Sequence, residues 1–160
     1  MASSDSGIIH ASAVQIDKRG VLLFGPSGSG KSSLAARLIE HCAGVLIGDD
    51  RLALHVRNQQ IIASPHEALL GLIELRGLGV VRRPYKKTAA IHLAIDLVAR
   101  EDVPRMAAPD RFDYGGASVA RLRLHAHDST TPIIIQTALK TLGAAGAQNN
   151  GFSDDGIYEI

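Results

Sequence analysis

Residues Gly25-Pro26-Ser27-Gly28-Ser29-Gly30-Lys31-Ser32 decide the fold. They satisfy G-x-x-x-x-G-K-[ST] in full, and their flanks matter as much as the match. Val21-Leu22-Leu23-Phe24 before them is a continuous apolar run, the pattern of a strand buried on both faces. After them, Leu34, Ala35, Leu38 and Ile39 recur at the spacing of one helix face. Strand, glycine loop and helix form the context in which this motif holds phosphate. The glycines let successive backbone N–H groups curl into an anion nest, and the helix N-terminus adds partial positive charge. Lys31 can reach the β- and γ-phosphates, and the Ser32 hydroxyl can ligate Mg²⁺. The segment therefore predicts binding of ATP or GTP with Mg²⁺, without naming a reaction.

The rest of the chain limits what can surround that loop. Its 160 residues suit about one domain. With 46% hydrophobic and 21% charged residues, it can bury a real core. Lys plus Arg total 17 against 16 Asp plus Glu, a net charge of +1, which argues against nucleic-acid binding through bulk charge. Aromatics are 4% and Trp is absent, a poor basis for a base-stacking platform. A single cysteine, Cys42, excludes an internal disulfide and a Cys-rich zinc site, and fits a reducing cytoplasm. MASSDSGIIH shows no basic n-region and no apolar h-region, so no signal peptide is expected. No apolar run approaches the ~20 residues that cross a bilayer.

Read along the chain, residues 1–7 form a flexible start, 8–143 the catalytic domain and 144–160 a Gly-, Asn- and Asp-rich tail expected to be disordered. Strands are expected at 8–16, 21–24, 45–47, near 72–75, at 89–99 and at 119–126, with a hairpin at 52–57 and 60–63 turned at Asn58-Gln59. Gly20 is the expected positive-φ residue of the first turn, and Gly44 the cap of the helix that starts at Lys31. Residues 100–117 read as an exposed loop, and Pro132 to about Leu142 as a helix with proline in its first turn. The expected fold is an α/β P-loop domain with a mixed sheet.

Asp49 and Asp50 end the second buried strand, at the strand edge where ligands sit in open α/β sheets. A carboxylate there can hold Mg²⁺ or accept a proton from an attacking hydroxyl. Two adjacent residues of an extended chain face opposite ways, so one faces phosphate and the other does different work, such as pairing with Arg51. Asp96 is the competing metal-side carboxylate. The single helix between loop and acidic strand separates this chain from motor and transporter ATPases. The absence of N-K-x-D and L-S-G-G-Q-like segments weakens GTPase and transporter readings. Ile73-Glu74-Leu75-Arg76-Gly77-Leu78-Gly79 places a Glu and an Arg in an apolar stretch, either as an ion pair on a loop or as a metal-side acid and its partner. His125 and His127, two residues apart with no third ligand, read as surface. Arg82, Arg83, Lys86 and Lys87 make a short basic run, a solvated loop or a docking patch.

The phosphate loop, the I-G-D-D strand end and I-E-L-R-G-L-G-V-V, in this order and spacing, resemble HPr kinase/phosphorylase, specifically its C-terminal catalytic domain, over roughly residues 8–142. The resemblance implies an ATP- and Mg²⁺-dependent protein kinase that phosphorylates a serine of HPr in the bacterial phosphotransferase system. It implies a cytoplasmic, typically hexameric enzyme. The usual N-terminal domain has no counterpart here, which is similar to the short alphaproteobacterial forms and points to an HPr-like phosphocarrier as substrate. By the same resemblance, Asp49 is the general base, Glu74 the second metal ligand beside Ser32, and His10 and Arg111 belong to the active site. Lys31 contacts phosphate, and Gly77 and Gly79 lie in the signature loop. His125-Ala126-His127-Asp128 stands where full-length members carry an R-P-G-R-N-like segment, so the reverse, phosphorolytic activity is in doubt. A P-loop small-molecule kinase and a non-catalytic ATP sensor are the rival readings.

Overall fold

The computed structural model describes residues 7–144, 152 and 156–158. In chain order, β1 (Gly7–His10), β2 (Ser12–Ile16) and β3 (Arg19–Phe24) precede the phosphate loop and α1 (Lys31–His41). Then come β4 (Val45–Gly48), β5 (Arg51–Arg57), β6 (Gln60–Pro65), β7 (Leu72–Leu75) and β8 (Gly79–Arg82). The chain continues through β9 (Ala89–Leu97), β10 (Asp110–Tyr114), β11 (Ala117–Leu124) and α2 (Thr131–Ala144). The sheet is mixed, as expected, and runs β1-β5-β6-β9-β3-β2-β4, with β11 beside β9 and β10 beyond it. β7 and β8 form a separate hairpin.

Strand directions decide where the site lies. β3, β9 and β11 are mutually parallel. β2 is antiparallel to both β3 and β4, so β4 runs the same way as β3. The carboxyl ends of β3, β4, β9 and β11 therefore share one edge of the sheet. The amino end of β2, pointing the opposite way, reaches that same edge between β3 and β4.

The core alternates along the strands with period two, except where the β3–β9 register shifts between Ile91 and Leu93 and turns Ile91 to the opposite face. Val21, Leu23, Leu93, Ile95 and Leu97 face α1 and α2, together with Leu34, Leu38, Ile135 and Leu139. Leu22, Ile91 and Ala94 face the other way, onto Leu52, Leu54, Ile61 and Ala63 of the β5–β6 hairpin. Both faces of β3 and β9 are thus covered, which explains their nearly continuous apolar sequence. Cys42 is a packing residue: burial pushes its thiol pKa up, away from the reactive thiolate.

Several local expectations change. The strand expected over 8–16 is broken at Ala11 into β1 and β2, which pair with different neighbours. The two-residue turn after β2 takes its positive φ at Asp17 and Lys18, at +48° and +64°. Gly20 instead lies inside β3, where a Cβ would come within 2.6 Å of the Ala90 carbonyl oxygen. Ala43, not Gly44, is the left-handed residue after α1, while Gly44 N–H closes the helix end onto the Leu38 carbonyl at 3.1 Å. The loop expected after residue 75 contains β8, and the loop expected over 100–117 contains β10. Much of the tail expected to be disordered, over 144–160, lies outside the described residues. Phe152 and Tyr158, however, pack on the α2 side of the core.

Leu93, fully buried between the parallel strands and the helices, tests this packing. Leu93→Ala is expected to cost about 3 kcal/mol. That would lower the urea midpoint with an unchanged slope, whereas an unmoved midpoint would contradict the core assignment.

Candidate active site

The phosphate loop begins where β3 ends, and the α1 amides that follow are open to a ligand. Gly30 caps the helix in a left-handed conformation, no side chain caps it, and its first turn carries no acid. Gly28 and Gly30 have φ of +82° and +97°, conformations that turn consecutive N–H groups inward. The Lys31 ammonium, nearly buried, donates to the carbonyls of Gly25 (2.6 Å) and Pro26 (3.1 Å), holding it over the loop.

Asp49 lies one residue beyond β4 and is only 6% exposed. The Ser32 hydroxyl lies 2.8 and 2.9 Å from its two oxygens. The Ser12 hydroxyl donates to Oδ1 at 2.6 Å, and the Glu74 backbone N–H donates to Oδ2 at 3.3 Å. The expected Ser32, Lys31 and Asp49 are thus assembled, and Glu74 arrives through its main chain with an exposed side chain. Asp50 is engaged elsewhere: its carboxylate is 3.3 Å from Nδ1 of His10, and both side chains are exposed.

Other candidates go elsewhere. Arg111 lies on β10, across β11 and β9 from the phosphate-loop strand, and its guanidinium bonds Ser118 through both the hydroxyl and the carbonyl (3.1 Å). In this chain it is not brought to the cluster. Asp96 is held by Arg121 at 2.5 Å, which removes it as the metal-side rival. Asp50 pairs with His10 rather than with Arg51. Among the described residues, no ion pair joins Glu74 to Arg76. In the basic run, Arg83 bridges to Glu40 of α1 at 2.6 Å.

A family model, HPr Serine kinase C-terminal domain, matches residues 2–157. The chain belongs to this family. It is 45% identical over 71 residues to the HPr kinase/phosphorylase of Mycoplasma mycoides subsp. mycoides SC, covering 44% of this chain and 22% of that protein. To the HPr kinase/phosphorylase of Malacoplasma penetrans it is 31% identical over 97 residues, covering 56% of this chain and 32% of that protein. The chain thus spans a third or less of the length of these two curated relatives. The Hpr(Ser) kinase/phosphatase structure from Coxiella burnetii superimposes with a TM-score of 0.76 at 26% identity, over 87% of this chain and 97% of that one.

The HPr serine kinase fold explains two residues that motif reading overlooks or leaves on the surface. Ser12 is fully buried and bonded to Asp49, but it comes from the strand running against its neighbours, so no spacing near the phosphate loop announces it. His127 stands against Gly30. The loop carrying it is tied down by Arg37, which donates to the carbonyls of Ala126 and Asp128, and by Asp128 to Arg100 at 2.5 Å. The residues present suit a nucleotide with Mg²⁺. The loop and the first turn of α1 supply backbone amides and the Lys31 ammonium, and Ser32 and Asp49 supply hard oxygen donors. Among the described residues, no three His, Cys, Asp or Glu side chains converge.

At Gly30 a Cβ would lie 2.8 Å from Ala126 Cβ and 3.0 Å from the His127 ring. Gly30→Ala is therefore expected to weaken ADP binding roughly tenfold by calorimetry, through backbone strain in the loop. Unchanged affinity would contradict this account of the loop.

Proposed function

We propose that this chain is the catalytic core of an ATP-dependent protein serine kinase whose substrate is an HPr-like phosphocarrier protein, acting in the bacterial cytoplasm. The hexameric state implied by the resemblance belongs to the same proposal. The observation that carries the reading is the nearly buried Asp49 carboxylate, held against the Ser32 hydroxyl beside Lys31 in a chain of the HPr serine kinase family.

In the proposed reaction, the substrate serine oxygen forms a bond to the γ-phosphorus of ATP. The bond from that phosphorus to the β,γ-bridging oxygen breaks, and ADP leaves. The serine proton passes to Asp49. Lys31, swung from the Gly25 and Pro26 carbonyls, and the loop amides meet the phosphate charge. Ser32 and Glu74 would hold Mg²⁺, which when bound neutralises charge on the β- and γ-phosphates. His10, linked to Asp50, borders the entrance through which the serine arrives. Positioning and electrostatics account for most of the rate in such transfers. With neither arginine of the R-P-G-R-N-like segment present, phosphorolysis is expected to be weak. Arg111, distant in this chain, takes no step in this scheme.

One observation favours a second role for Asp49. Both its oxygens face Ser32, the arrangement in which a P-loop serine and a strand-end Asp share Mg²⁺. Asp49→Ala separates the two. As the base, its loss lowers transfer by roughly 10²–10⁴-fold and spares Mg²⁺-ATP binding. As a metal holder, its loss abolishes the Mg²⁺ dependence of nucleotide binding.

The proposal itself is tested with labelled ATP and a purified HPr-type phosphocarrier. Acid-stable label on serine is expected. ATP binding without transfer to the protein would favour a sensor, and transfer to a small hydroxyl compound a small-molecule kinase.

A further inference from the structure

We propose that Ser12 is a positioning residue of this site: its hydroxyl pins the strained Asp49–Asp50 turn so that Asp49 faces the phosphate loop and Asp50 faces His10. The inference rests on the kinase reading above and adds to it a residue outside every motif of the sequence.

The turn is unusual. Asp50 has φ of +69°, and Arg51 N–H donates to the Asp49 carbonyl at 2.8 Å across it. A three-residue turn with positive φ at its centre is the rare and strained form of the γ-turn. A non-glycine residue in such a conformation persists only where its surroundings over-determine it. Here the surroundings are β2 and the residue before it. The Ser12 hydroxyl donates to Asp49 Oδ1 at 2.6 Å and lies 3.3 Å from the Asp50 N–H, as its acceptor. Ala11 N–H donates to the Asp50 carbonyl at 3.2 Å. One fully buried hydroxyl thus joins the side chain of one acid to the backbone of the next.

The consequence is directional. Reversing the turn would expose Asp49 and carry Asp50 away from His10. Relaxing it would let Asp49 leave Ser32. Ser12 prevents both because β2 enters the edge from the opposite direction, placing a side chain between the ends of β3 and β4. Nothing else about Ser12 calls for a hydroxyl: the residue is sealed from solvent, and a small apolar side chain fits equally well in a core position.

The test is a double-mutant cycle on the full chain, using labelled ATP and a purified HPr-type phosphocarrier. Ser12→Ala is expected to lower kcat roughly tenfold or more with little change in the KM for ATP, while Ser12→Thr, which keeps the hydroxyl, retains most activity. In the Asp49→Ala background, Ser12→Ala is expected to add no further loss, because it acts through Asp49. Should Ser12→Ala not fold, Ser12→Cys keeps the volume with a much weaker donor and is expected to show the same loss. Wild-type kcat in a folded Ala or Cys variant, or a loss that is additive with Asp49→Ala, would overturn the proposal. If Asp49→Ala itself leaves transfer intact, the kinase reading fails, and not only the role of Ser12.

Discussion

A carboxylate that is 6% exposed has lost most of its water and must find donors inside the protein. Asp49 finds three, on Ser12, Ser32 and the Glu74 backbone, and they come from 37, 17 and 25 residues away in sequence. Satisfying this one group brings together the start of β2, the first turn of α1 and the β7 strand of the separate hairpin. Each of those elements has its own reason to be there, since each buries apolar residues in the core facing α1 or the one behind it. The Asp49 carboxylate with its Ser12 and Ser32 hydroxyl partners sets a charged group beside the phosphate loop, which that packing alone would not supply.

The arrangement is organised in advance of any ligand. Lys31 already lies over the loop, and the α1 N-terminus is open because neither a capping side chain nor an acid occupies it. Such fixed dipoles and charges need little reorganisation when charge develops in a transition state, and this is where preorganised sites gain rate. The loop of His125 to Thr131 is equally fixed: Thr131 Oγ1 donates to the His125 carbonyl at 2.5 Å, and Arg37 anchors it to α1. It presents a histidine to Gly30.

Much of this was legible from residues 25–32 and their flanks, because a glycine nest, a buried strand and an amphipathic helix each have a local physical signature. The same holds for Asp49, which directly follows a buried apolar strand. The Asn58-Gln59 turn was equally readable, with both residues taking positive φ. What escaped depends on sheet order, which spacing does not encode. Ser12 matters only because β2 lies between β3 and β4. Resemblance alone places Arg111 in the site, within a stretch that reads as an exposed loop, and that stretch instead holds strand β10, which pairs with β11 away from the phosphate-loop strand. Asp96 looked available because its partner, Arg121, lies 25 residues further on, on a strand whose pairing with β9 local sequence could not announce.

Whether Ser32, Asp49 and Lys31 form one nucleotide and metal site at the carboxyl edge of β3 and β4 is decided by a crystal structure of the chain with Mg²⁺ and a non-hydrolysable ATP analogue. The expected result is the triphosphate wrapped by the N–H groups of the phosphate loop, Lys31 Nζ moved from the loop carbonyls to the β- and γ-oxygens, and the cation on the Ser32 hydroxyl with Asp49 beside it. A nucleotide bound elsewhere, or a cation with no contact to either residue, would contradict it.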